Sequence, residues 1–136
     1  MSGADLRYSF LQGTILSNIN LQYSDLYCAN LEGALIQYSD FSHARFIHSN
    51  IKFVAFDNSR LVEANLSTAD ATGASFAQAD LRGAYMYGAI LWGADFMRAD
   101  LRNCLLGRAD FWGADLRGAN LSGYNREDAD LSQAFL

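Results

Sequence analysis

The ten residues Ala114-Asp115-Leu116-Arg117-Gly118-Ala119-Asn120-Leu121-Ser122-Gly123 state one five-residue pattern twice. Extended outward in fives, the register begins at Ala4 and runs to Leu136 without an insertion. The third residue of the unit falls at 27 positions, and 25 of them hold Leu, Ile, Phe or Met; Ala71 and Arg126 are the exceptions. The first residue is almost always small: 17 Ala, five Ser, and Thr14, Val54 and Cys104, with Ile19 and Tyr124 the two bulky members.

A period of five fits neither regular element. In an α-helix a five-residue step rotates the apolar position by a net ~140°, so no apolar face forms. A straight strand needs a period of two. Within one unit the small residue and the Leu are two apart and share one side of an extended triplet. The next small residue is three further on and faces the other way unless the chain turns. One turn per unit, with both apolar positions directed inward, makes a coil, and stacked coils make a β-solenoid. Identities twenty apart set the number of sides: Phe56, Phe76 and Phe96; Trp92 and Trp112; Asp80 and Asp100; Arg82 and Arg102; and the column Gly13, Gly33, Gly73, Gly93 and Gly113. Twenty residues in units of five make four sides, with three sides the alternative that these identities disfavour.

The units Ala64-Asn65-Leu66-Ser67-Thr68, Ala79-Asp80-Leu81-Arg82-Gly83, Ala114-Asp115-Leu116-Arg117-Gly118 and Ala119-Asn120-Leu121-Ser122-Gly123 resemble the A-(D/N)-L-x-x signature of the pentapeptide-repeat family. The resemblance covers residues 4–136. It implies an all-β fold, a right-handed quadrilateral β-helix with between six and seven coils, as one domain over residues 1–136. At ~4.8 Å per coil the rod is ~32 Å long. The family is numerous in cyanobacteria, which implies a bacterial setting.

This architecture carries packing expectations. Phe56, Phe76 and Phe96 form a ladder up one side. The Asp or Asn at the second place points outward and bonds backbone groups at the turn, and glycine suits the corner. Ala71, where a Leu belongs, leaves a local void or draws Phe76 into it. The unit Tyr124-Asn125-Arg126-Glu127-Asp128 breaks the pattern, either as an end effect or because 125–136 leaves the coil as a short helix capped by Asn125. Bare solenoid ends expose strand edges and core, so end-to-end dimerisation is a further expectation.

The 136 residues carry a net charge of −5, with 51% hydrophobic and 18% charged residues. That composition excludes disorder. No apolar run is long enough for a membrane span, and Met1-Ser2-Gly3-Ala4-Asp5 lacks the features of a signal peptide, so the expected compartment is the cytoplasm. The acidic balance argues against direct binding to a nucleic-acid backbone.

Catalytic chemistry finds no foothold. Cys28 takes an outward corner and Cys104 an inward small place, about four coils (~19 Å) apart, beyond the ~7 Å Cα limit of a disulfide. His43 and His48 occupy corners on successive sides and diverge, unlike a metal pair. Ten of the twelve Asp fall at the second place of the unit, so the repeat accounts for them; Asp80 and Asp100 stand beside Arg82 and Arg102 as a salt-bridged face. The reading is a non-enzyme with no cofactor and no metal.

The outward positions hold the functional signal. Tyr85, Tyr87, Ile90, Trp92, Leu105 and Trp112 fall on two adjacent sides and form an exposed apolar cluster. Such a patch marks a protein-binding surface or a homodimer contact; the alternative is aromatic side chains lying flat and stacking along the wall. A smaller set is Ile15, Leu35 and Ala55, with Phe10 and Phe53 nearby. Two functions follow. The first is a rigid, non-catalytic interaction module for an unidentified protein partner. The second, implied by the resemblance, is a DNA mimic that inhibits or protects a topoisomerase (gyrase). Mimicry needs a continuous acidic face, and here the acids are scattered among Arg45, Arg60, Arg82, Arg98, Arg102, Arg108 and Arg117.

Overall fold

The computed structural model describes residues 1–125 and 129–136. The second residue of each unit forms a parallel bridge with the residue twenty further on, from Asp5 with Asp25 to Asp115 with Phe135. The chain is therefore a β-solenoid whose coils repeat every four units. Face 1 carries the units beginning at Ala4 and every twenty residues on. Faces 2, 3 and 4 begin likewise at Ser9, Thr14 and Ile19.

Each wall is held by bonds to the next coil. The Leu6 N–H donates to the Asp25 carbonyl at 2.8 Å, and the Asp25 N–H to the Ala4 carbonyl at 2.9 Å. Each corner closes on itself, as where the Ser9 N–H donates to the Leu6 carbonyl at 3.2 Å. The third residue of that turn has positive φ at every fifth position from Gly3 to Gly123, as a type II turn requires. Glycine fills ten of these 25 corners, so the expected preference for glycine holds only in part. The other fifteen, Thr68 and Phe53 among them, accept strain of roughly 1 kcal/mol each.

Two kinds of interaction hold those corners. The second-place Asx caps the turn: Asp5 Oδ1 accepts the Arg7 N–H at 3.2 Å, and Asp70, Asp110 and Asp130 do the same for Thr72, Trp112 and Ser132 at 3.2, 3.1 and 2.9 Å. Corner side chains also stack along the edges. The Tyr23 ring lies parallel on His43 at 4.7 Å, and His43 Nδ1 stands 3.3 Å from Glu63 Oε2.

The core is the two inward columns. Phe56, Phe76 and Phe96 stack face to face at 5.2 and 4.9 Å and within 9° of parallel, the expected ladder. Phe76 thus stays in its own column and does not swing toward the buried Ala71. Two of the buried serines link successive coils. The Ser39 hydroxyl enters the turn of the preceding coil, accepting the Ile19 N–H at 3.1 Å and donating to the Leu16 carbonyl at 2.9 Å. Ser59 repeats this one coil on, with the Ser39 N–H and the Ile36 carbonyl. Ser24 Oγ, by contrast, is buried without a partner among the described residues.

Residues 129–136 remain in the coil. Asp130 bridges Asp110, Phe135 bridges Asp115, and the last corner slips so that the Gly113 N–H donates to the Gln133 carbonyl at 2.9 Å. This corrects the expectation of a helix as far as it concerns these eight residues. Ala129, Leu131, Ala134 and Leu136 keep the five-residue register and so keep the wall. The part of that expectation resting on Arg126, Glu127 and Asp128 lies outside the described residues.

The walls also carry ion pairs built into single units. Arg82 Nε donates to Asp80 Oδ1 at 2.8 Å, Arg102 Nε to Asp100 Oδ1 at 2.8 Å, and Arg117 Nε to Asp115 Oδ1 at 2.9 Å. These guanidinium hydrogen bonds hold the Asp80, Asp100 and Asp115 carboxyls below the usual carboxylate range. Asp5, bonded to Arg7, is lowered to about 2.

Two outcomes follow. Ser24→Ala removes an unpaired buried hydroxyl at a place where the repeat prefers Ala, and raises stability by about 1 kcal/mol, whereas Phe76→Ala lowers it by about 3–5 kcal/mol; equilibrium denaturation measures both. In acid, the lowered carboxyls contribute stability that is present above an unfolded value of about 3.9 and lost as pH falls through the folded values. The thermal midpoint therefore holds level near neutrality and drops between about pH 4 and 2. The double change Asp80→Asn with Asp100→Asn makes that drop shallower, while Asn keeps the turn cap.

A candidate protein-binding face

The six residues singled out by pattern are all exposed and lie together around one edge of the rod. Tyr85 and Leu105 are bridged neighbours on face 1, and Tyr87 stands beside them. Ile90, Trp92 and Trp112 stand on face 2, where Ile90 is bridged to Asp110. The corner between the two faces holds Gly88 and Arg108. The Arg108 guanidinium lies 5.8 Å from the Tyr87 ring centroid, a cation–π contact. Tyr87 leans over Gly107, where an added Cβ would come within 3.1 Å of the ring.

The tryptophans do not lie flat on one another. Their ring centroids are 6.4 Å apart and the planes meet at 72°. With Asp110 they line an open pocket of about 350 Å3. The next corner holds Gly93 and Gly113, and around Gly93 there is open space where a Cβ would stand. The indoles therefore have an unobstructed flank. Asp110 Oδ1 caps the Trp112 N–H at 3.1 Å, and among the described residues Asp110 forms no ion pair.

Pattern reading missed Asp110 as part of this site, because the repeat already explained it as a turn cap. It also underrated the second apolar region. Phe10 is 83% exposed and Ile15 77%, with Leu35 and Phe53 also exposed beside the Gly13 and Gly33 corner. The signal for both regions is the missing Asx. Tyr85, Ile90 and Leu105, and equally Phe10, Ile15, Leu35 and Ala55, stand where the repeat places Asp or Asn.

The other chemistry-bearing residues are dispersed. Cys104 is buried, with its thiol pushed up to about 12 by that burial, and Cys28 is half-buried; both are free thiols. His48 Nδ1 stands 2.8 Å from the Thr68 hydroxyl, and His43 is engaged by Tyr23 and Glu63. Among the described residues no group of three His, Cys, Asp or Glu is placed to hold a metal, and no helix is long and apolar enough to cross a membrane. Acids and bases are mixed along the walls: besides the pairs within units, Asp25 meets Arg45 at 2.8 Å and Asp70 meets Lys52 at 3.0 Å.

Comparison with known proteins agrees with this architecture. The sequence matches the family of pentapeptide repeats in eight copies, over residues 1–36, 24–62, 64–103 and 94–133. No curated relative matches it significantly. Among solved structures it is similar to HetL from the cyanobacterium Nostoc sp. strain PCC 7120, a pentapeptide repeat protein involved in heterocyst differentiation regulation. Identity is 30%, with 98% of this chain and 74% of HetL covered and a TM-score of 0.49. Rfr23, from the cyanobacterium Cyanothece 51142, is 23% identical over 98% of this chain and 88% of its own, with a TM-score of 0.47. A trypsin-treated form of QnrB1, a plasmid-mediated fluoroquinolone resistance protein, is 21% identical over 99% of this chain and 78% of its own. Its TM-score is 0.58, a likeness of fold. With its repeat matched over nearly the whole length, the chain belongs to the pentapeptide-repeat family.

Proposed function

We propose that the chain is a non-catalytic interaction module, a rigid rod that binds a protein partner through Tyr85, Tyr87, Ile90, Trp92, Leu105 and Trp112. The carrying observation is the contiguous exposure of these six side chains around one edge, with two indoles at an angle that leaves a pocket open to solvent. Large apolar patches on soluble proteins mark sites of contact, and Trp and Tyr are favoured anchors. The scaffold in this reading is a right-handed coil of between six and seven turns, in the cytoplasm, without cofactor or metal. A second copy of the chain is one candidate occupant of the face, and end-to-end stacking is the competing mode of self-association.

The mixed charge of the walls favours this reading over a DNA mimic acting on gyrase. Asp5, Asp25, Asp40, Asp70, Asp80, Asp100 and Asp115 are each paired with Arg or Lys, which breaks up the acidic surface that mimicry would need.

Light scattering on the wild type beside the double variant Trp92→Ser, Trp112→Ser tests the face. A wild-type dimer that dissociates in the variant identifies the face as self-binding. A dimer that survives the change places assembly at the ends. A wild-type monomer leaves the face free for another protein. Gyrase supercoiling is expected to proceed unchanged in micromolar concentrations of the chain, and inhibition or protection from a quinolone would revive the mimic.

A further inference from the structure

We propose that the pocket lined by Trp92, Trp112 and Asp110 seats an arginine side chain of the partner protein, with Asp110 as its counter-charge. The inference rests on the reading of this face as protein-binding and names the chemistry it selects.

The repeat itself supplies the template. In four units the second-place carboxylate is bonded to an arginine at the fourth place: Asp5 with Arg7, Asp80 with Arg82, Asp100 with Arg102 and Asp115 with Arg117. In each, Oδ1 accepts both the backbone N–H and the guanidinium Nε, while Oδ2 takes a terminal nitrogen, as in Arg82 to Asp80 Oδ2 at 2.8 Å. Asp110 makes the same backbone cap, yet its fourth place holds Trp112. Its carboxylate therefore has the geometry for a guanidinium and no arginine within its unit to supply one. The arginine nearest in sequence, Arg108, is placed over Tyr87.

The indoles add what an internal arginine lacks. They pack edge to face, with centroids 6.4 Å apart and planes at 72°, and with Asp110 line the opening, where the glycine corner at Gly93 leaves space around the approach. A flat guanidinium can stack on an indole while its fork meets the carboxylate, a combination that an ammonium group cannot reproduce. The volume of about 350 Å3 is within the range of small ligand sites.

The chain's two tryptophans both line this pocket, so intrinsic tryptophan fluorescence reports on it alone. The experiment titrates the full chain with capped peptides in which one residue is flanked by glycines: arginine, lysine, citrulline or leucine. The expected result is a saturable change with the arginine peptide that weakens as salt is raised. Affinity falls by about tenfold or more for the citrulline peptide, and by the same factor in Asp110→Asn. That variant retains the turn cap, since Asn30 and Asn50 hold the same column and cap Glu32 and Lys52 at 3.1 and 3.2 Å. Undiminished binding in Asp110→Asn, or equal binding of the citrulline peptide, overturns the proposal. A response to the leucine peptide with none to arginine overturns it too, but leaves the face standing as an apolar docking surface. Silence toward all four peptides overturns it as well, and the scattering comparison then judges the face on its own.

Discussion

A corner with positive φ after every extended triplet is the constraint on which the whole molecule depends. It limits each side to a span in which only the first and third residues of a unit can face inward. It thereby sets the width of the coil, narrow enough for Leu and Phe side chains from four walls to meet on the axis. Fifteen of the corners are not glycine, and the strain they carry persists because everything around them holds it in place. The corner N–H reaches the next coil, as Tyr8 does to Tyr27 at 2.9 Å, and the Asx cap fixes the entry to the turn. A coil standing alone would have neither the partner carbonyl nor the covered core, so coils are stable only against their neighbours.

Nearest-neighbour stacking explains how the core tolerates irregular filling. Phe56, Phe76 and Phe96 gain from parallel faces at about the spacing of the coils, so each is held by the one before it. Ala71 sits beside that ladder without disturbing it. Polar groups enter the interior on the same terms. The Ser39 and Ser59 hydroxyls replace the direct closure of the preceding turn by a two-bond bridge, so a polar residue in the core becomes a link between coils. Ser24 has the same chemistry in another column and makes no such link among the described residues.

The register, the inward columns, the phenylalanine ladder and the Asx caps were legible in the sequence, because each depends on spacing alone. What was not legible depends on rotamers and on neighbours twenty residues away. The spacing of Trp92 and Trp112 was compatible with flat stacking or with an exposed cluster; the rings meet edge to face at 72°, and both are exposed. The helix alternative for the last residues drew its weight from the broken unit 124–128. The units after it had kept the repeat throughout, and the wall continues through them. Asp110 was hidden by its own regularity: as the cap of its turn it resembles nine other aspartates, and only the residue at the fourth place sets it apart.

A repeat this regular provides a background against which departures can be weighed. An Asp or Asn at the second place caps the next turn, and losing such a cap costs about 1 kcal/mol. Where Tyr85, Ile90 and Leu105 replace it, the chain gives up the cap and also exposes apolar surface, two losses to the isolated rod. Such losses are not spread evenly along the walls. Most of the apolar ones lie in one region around Trp92 and Trp112 and another around Phe10 and Ile15, with Phe135 apart from both, while Asp95, Asp100 and Asp115 keep the stabilising residue. The cap, which serves each corner alike, gives no reason for apolar replacements to be neighbours. A surface that must meet another molecule does, because contact requires neighbouring side chains on successive coils. At Trp112 the substitution goes a step further. The cap of Asp110 is kept, and the fourth place, which in four other units holds an arginine bonded to the Asp, holds an aromatic side chain.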